Sequence, residues 1–200
     1  MSRIALALTT LCACAATALL AVWLADRGAS DPAARAGWAG SLRPPGARAP
    51  HFRLTSQDGE RMSASSLSGR TVVYTFIYSH CRDTCPATVQ SIRGALDDLG
   101  HDVPVLGISV DPGNDTRESA KVFLSEQHMT GRMEFLLGSR EQLAPVWRAF
   151  GIAPQTAELD HSAYVVIVDG AGRQRIGFPH DQLTPEGLAH DLGRLVSAGA

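Results

Sequence analysis

Cys81 and Cys85 stand three residues apart in the stretch YSHCRDTCP, with His80 before the first and Pro86 after the second. Two thiols in one short segment can close a disulfide, or bind a soft metal as thiolates. The spacing is one residue wider than the common redox pair. Two thiolates are also only half of a structural zinc site, which takes four ligands. Of the four cysteines in the chain, the other two, Cys12 and Cys14, lie in an uncharged N-terminal stretch, so no four-cysteine framework forms. Pro86 lacks an amide proton and fits best in the first turn of a helix. That places Cys85 at the N-terminus of a helix over 86–99, where unpaired amides favour a thiolate, with Arg82 adding positive charge. Inert packing is the third reading, and a weak one for two cysteines in one loop.

The elements around the pair follow from hydrophobic pattern and punctuation. TVVYTFIY (71–78), VPVLGISV (103–110) and SAYVVIVD (162–169) are β-branched and apolar runs, as expected of strands buried on both faces. HFRLTSQDGERMS alternates around Gln57-Asp58-Gly59 as a hairpin, MEFLLG reads as a short strand, and RQRIGF follows a Gly170-Ala171-Gly172 turn. Val89, Ile92, Leu96 and Leu99 give a helical face that stops at Gly100. Asp115-Thr116 can cap a helix burying Ala120, Phe123 and Leu124. Ser139 and Gln142 have capping-box spacing ahead of a helix that stops at Gly151, and Thr184-Pro185 opens the last helix. Alternating strands and helices, closed by strand–turn–strand–helix, predict an α/β fold with a mixed sheet and helices on both faces. A strand that hands a cysteine pair to a helix N-terminus in such a sheet is the thioredoxin-like arrangement.

The N-terminal side divides into two parts. Ile4–Ala25 carries no charged residue and is long enough to cross a bilayer, so residues 1–25 are expected to form a membrane anchor helix. A cleaved signal peptide is the alternative, although AVWLADRGAS offers a poor cleavage site. Residues 26–49, rich in Ala, Gly, Pro and Arg, read as a flexible linker, leaving 50–200 as the folded domain. Arg3 alone precedes the apolar span, while Arg27, Arg35 and Arg43 follow it, so charge counting does not orient the anchor. Eighteen Lys+Arg against twenty Asp+Glu give a net charge of −2, which supplies no basic surplus for nucleic acid. There is no phosphate-binding glycine loop.

Three segments in order resemble the Sco/SenC/PrrC family of copper-binding proteins: TFIYSHCRDTCP, ISVDPGNDT (108–116) and LDHSAYVVIVDGAG (159–172). The resemblance runs from about Pro50 to Leu195, with Arg82 where the family commonly has proline. It implies a thioredoxin-like domain tethered to an energy-transducing membrane, holding copper through Cys81, Cys85 and His161. It further implies a role in maturing the copper centre of cytochrome c oxidase. The expected partners are a copper-receiving oxidase subunit and a copper donor chaperone, with the domain a monomer on the extracytoplasmic, periplasmic side. Cu(I), and Cu(II) in another state, would be the metal. The order of the strands agrees on His161, which directly precedes the 162–169 strand at the edge facing the cysteine loop.

Other candidates weigh less. His80 neighbours Cys81 and is expected to point the opposite way. Asp160 could orient His161, and Asp111 belongs to an Asp-Pro turn. His101, His128, His180 and His190 fall at helix ends and loops, and Met129 and Met133 read as gap-fillers. A thiol–disulfide oxidoreductase using Cys81 and Cys85 as its redox pair stays open beside copper delivery. A peroxiredoxin does not fit, since Tyr74 and Tyr78 stand where that class needs proline and threonine.

Overall fold

The computed structural model describes Thr17, residues 36–154 and residues 164–199. The expected anchor, Asp160 and His161 lie outside the described residues. Among the described residues no helix is long and apolar enough to cross a membrane.

Among the described residues eight strands form one sheet. In chain order they are β1 (Ser41–Leu42), β2 (Arg53–Ser56), β3 (Arg61–Ser63), β4 (Val72–Ile77), β5 (Val105–Ser109), β6 (Glu134–Leu137), β7 (Tyr164–Val168) and β8 (Gln174–Pro179). The helices are α1 (Thr84–Leu99), α2 (Arg117–Glu126), α3 (Arg140–Phe150) and α4 (Pro185–Gly199), with a 3-10 turn at Ala64–Leu67. The spatial order is β1-β8-β7-β4-β5-β6-β2-β3, in which β4, β5 and β6 run parallel and β7 runs against β4. This is the mixed sheet that the pattern predicts.

Every residue of β4 is buried, and the period-two pleat deals its side chains to two cores. Val73 and Ile77 join one core with Val89, Ile92 and Leu96 of α1, Phe123 of α2, and Leu188 and Leu192 of α4. Val72, Tyr74 and Phe76 join the other with Leu143, Val146, Trp147 and Phe150 of α3. Met129 and Met133 are core residues, as gap-fillers should be. The predicted stops hold too. Thr116 and Ser139 each complete a capping box, and Gly100 ends α1 in the left-handed region at φ 76°, which favours glycine.

The expected linker boundary at residue 50 is corrected by the packing of residues 36–49. Ser41 and Leu42 pair with Gly177 and Ile176 of β8. Ahead of them, the fully buried carboxylate of Asp191 on α4 accepts the amides of Ala39 at 3.0 Å and Gly40 at 2.9 Å. A side chain at Gly40 would collide with Ile176 and Phe178, so glycine lets the backbone lie flat there. Arg194 stacks on Trp38, and Arg43 donates to Gln174 and to the Phe150 carbonyl. The segment has no apolar period because backbone amides and single side chains such as Trp38 and Arg43 fasten it, rather than a periodic apolar face. Asp191→Ala strands both amides and should cost about 2–4 kcal/mol in urea unfolding, with new proteolytic cleavage near residue 40. Unchanged stability would show that the clamp is dispensable.

Candidate metal centre

The last sheet bond of β4 is Val110 N–H to the Ile77 carbonyl, at 3.0 Å. The chain then turns, with the Cys81 amide donating to the Tyr78 carbonyl at 3.3 Å, and enters α1 at Thr84. The helix therefore starts two residues before Pro86, which sits in the first turn where its missing amide costs nothing. Asp83 is the N-cap residue, yet its side chain makes no capping bond. The Cys81 sulfur fills that role, accepting the amide of Cys85 at 3.3 Å.

Both thiols are more buried than the expected surface loop allows: Cys81 is 8% exposed and Cys85 1%, and both belong to the α1-side core. Neither is in a disulfide, and the Cys81 sulfur lies against the backbone of Cys85. A hydrogen bond from Cys85, the amides of Asp83 and Cys85, and Tyr78 together hold Cys81 down at about 5, against the opposing effect of its burial. Cys85 is pushed up from its ordinary value by its bond to Cys81 and by burial, with the charges of Cys81 and Asp115 adding to the shift. The pair is thus polarised: Cys81 is the sulfur that gives up its proton first, and Cys85 is the one that keeps it. The helix N-terminus acts on Cys81 rather than on Cys85, which corrects the expected thiolate. Arg82 is exposed and takes no part.

The other expectations fall into place around this pair. His80 is exposed, with its ring Nδ1 3.1 Å from Ser79 Oγ, so it points away from the sulfurs' core. Asp111 accepts the Asn114 side chain within its own turn. His101, His128, His180 and His190 are exposed. Among the described residues no group of three His, Cys, Asp or Glu could hold a metal. The described chain resumes at Tyr164, three residues after His161. In the antiparallel β4–β7 pair Thr75 faces Val165, so β7 starts at the end of the sheet where β4 delivers the thiols. The donor set suits a soft ion, since two neighbouring sulfurs are available and Cys81 is held well below the ordinary thiol range. A cavity of about 570 Å³ lies elsewhere, walled by Arg70, His101, Arg173, Arg175 and Leu195.

Sequence reasoning missed Tyr78 as a partner of Cys81 and missed Ser79 altogether, and it read Asp115 only as part of a helix cap. Nothing in their spacing marks them, because the contacts join β4 to the turn after β5.

A family model described as SCO1/SenC matches residues 41–197. The chain is 31% identical over 119 residues to the mitochondrial Protein SCO1 homolog 1 of Arabidopsis thaliana, a match covering 58% of this chain and 35% of the plant protein. The chain covers between 35% and 44% of the length of the first curated relatives it matches. Among solved structures, Bradyrhizobium japonicum ScoI with copper bound superposes with a TM-score of 0.59 at 31% identity, over 74% of this chain and 99% of that one. BsSco, described with a disulfide switch and as a member of the Sco family of cytochrome c oxidase assembly proteins, gives 0.67 at 22% identity, over 80% and 98%.

Proposed function

This chain belongs to the SCO1/SenC family, and from that premise we propose that it binds copper through Cys81, Cys85 and His161 and delivers it to the copper centre of a cytochrome c oxidase. The observation that carries this reading is the pair of Cys81 and Cys85 held together at the start of α1, at the end of the sheet where β7 also begins. Cu(I) is soft and accepts three ligands, so an incoming thiolate or imidazole of the oxidase subunit can enter before a donor here leaves. Residues 1–25 anchor the chain in the cytoplasmic membrane, and the domain lies on its periplasmic side. A donor chaperone loads the copper, and the domain acts as a monomer.

Reduced protein titrated with Cu(I) against a chromogenic chelator should take up one ion per chain. His161→Ala should bind about 10-fold or more weakly, since loss even of an outer partner of a metal site costs about 10–100-fold. Equal affinity in the two proteins would remove His161 from the site.

The same pair supports a second reading, thiol–disulfide exchange. The Cys81 thiolate attacks a client disulfide and releases one client thiolate. The Cys85 sulfur, giving up its proton, then attacks the mixed disulfide and releases the other, so two electrons pass to the client and Cys81–Cys85 becomes a disulfide. A parent protein that reduces client disulfides yet binds no Cu(I) would favour this reading.

A further inference from the structure

Asp115 stands just before Thr116, which caps α2 in a box with Ser119, and the Ser119 hydroxyl also lies 2.8 Å from that of Ser79. The Asp115 carboxylate is turned the other way. One of its oxygens accepts the Ser79 amide at 2.8 Å and the Ser79 hydroxyl at 2.7 Å, and the other accepts the Ser109 hydroxyl at 2.5 Å. Ser79 is the second residue past β4, beyond the last sheet bond, so its amide has no strand to pair with. Ser109 is the last residue of β5 and fully buried, with its carbonyl held by the Trp147 indole at 2.9 Å. The Asp115 amide is itself fixed by the Asp111 carbonyl at 2.9 Å. The carboxylate is therefore anchored at both ends, to the rigid end of β5 and to the turn that carries Cys81.

From this we infer that Asp115 is a positioning residue of the dithiol site: by holding Ser79 against the end of β5, it fixes the Tyr78–Cys81 turn and with it the placement of the Cys81 sulfur over the first turn of α1. Asp115 acts on Cys81 through the backbone of Ser79 and His80, and its charge also acts on Cys85. The sulfur accepts the Cys85 amide only while that turn is held, and two soft donors must be preset if a metal is to bind without reordering the loop. The inference rests on the dithiol reading for its consequence, though not for the tether itself.

Three variants of the full chain test it: Asp115→Ala, Asp115→Asn and Thr116→Ala. Hydrogen exchange of the Ser79 and Cys81 amides reads the turn directly and needs no copper. Cu(I) competition reads the consequence. In Asp115→Ala both amides should exchange about 10-fold faster or more, and Cu(I) affinity should fall by about 10–100-fold. Asp115→Asn keeps an oxygen acceptor and should recover most of both. Thr116→Ala loses the α2 cap and lowers the melting temperature, yet should leave both readouts near the parent values. Should Asp115→Ala fail to fold, Ser79→Ala removes one of the two bonds to the same oxygen and should move both readouts in the same direction by less. The inference is overturned if Asp115→Ala leaves the two amides protected, or if Thr116→Ala moves Cu(I) affinity as far as Asp115→Ala does. A parent that binds no Cu(I) would defeat the copper reading, while amide exchange would still decide whether Asp115 holds the turn.

Discussion

Cys81→Ser should abolish practical Cu(I) binding while leaving the domain folded. Losing a sulfur removes a soft ligand outright, so the loss should exceed the ~10–100-fold typical of an outer partner. The folding half of the expectation is less obvious, because Cys81 is 8% exposed and belongs to a core cluster. What its sulfur does there, however, is accept hydrogen bonds at the start of α1. A serine oxygen accepts the same amides, as serine does at helix N-termini generally. Cys81→Ser should therefore cost about 1 kcal/mol in urea unfolding, and Cys81→Ala, which strands the amides, about 1–3 kcal/mol. Cys85→Ser should also lose copper, because its thiol is the second soft donor. Its buried hydroxyl can still donate to Cys81, so the fold should persist. Near-parent Cu(I) affinity in Cys81→Ser would remove the dithiol from the metal site altogether. Equal stability in Cys81→Ser and Cys81→Ala would mean that the sulfur does not cap the helix.

That experiment also bears on what the sequence could and could not disclose. The three central strands were legible because burial on both faces leaves an unbroken β-branched run, and Val72–Ile77 needs no partner to be recognised. Helix limits were legible where a local signal sets them, as at Gly100, Ser139 and Thr184. The cysteine pair was legible as chemistry but not as electrostatics. Pro86 fixes where a helix can tolerate a missing amide, not where the helix begins, and starting at Thr84 rather than at 86 moves the free amides from Cys85 onto Cys81. Long-range backbone fastenings left no trace at all. Nothing in WAGSLRPPGARA announces that Asp191, far along the chain, accepts its amides. Nothing in GNDT announces that Asp115 reaches back to Ser79 while Thr116 does the capping. Periodicity reports side-chain burial, and these contacts involve single polar groups.

The charge state of the pair predicts how stability should change with pH. Cys81 falls from an ordinary 9.0 to about 5 in the folded protein. Between those values the unfolded chain binds a proton at Cys81 that the native chain does not, so stability rises with pH. The contribution is complete above the unfolded value and is lost as pH falls through the folded one. Cys85 is shifted the other way. Its contribution is complete below the unfolded value near 9, and it shrinks above that, where the unfolded thiol ionises and the native one does not. Urea unfolding of reduced protein from pH 5 to 9 should therefore show a rising slope that Cys81→Ser lacks. The comparison between the two proteins cancels Asp169 and Asp115, which both chains share. Parallel curves would mean that Cys81 is not a native thiolate. Copper gives the same charge state a second readout, since both sulfurs must bind it as thiolates. At pH 7 only Cys85 still holds a proton to release. At pH 7 to 8, Cu(I) binding should then liberate close to one proton per chain from the two sulfurs, whereas two ordinary thiols would release two.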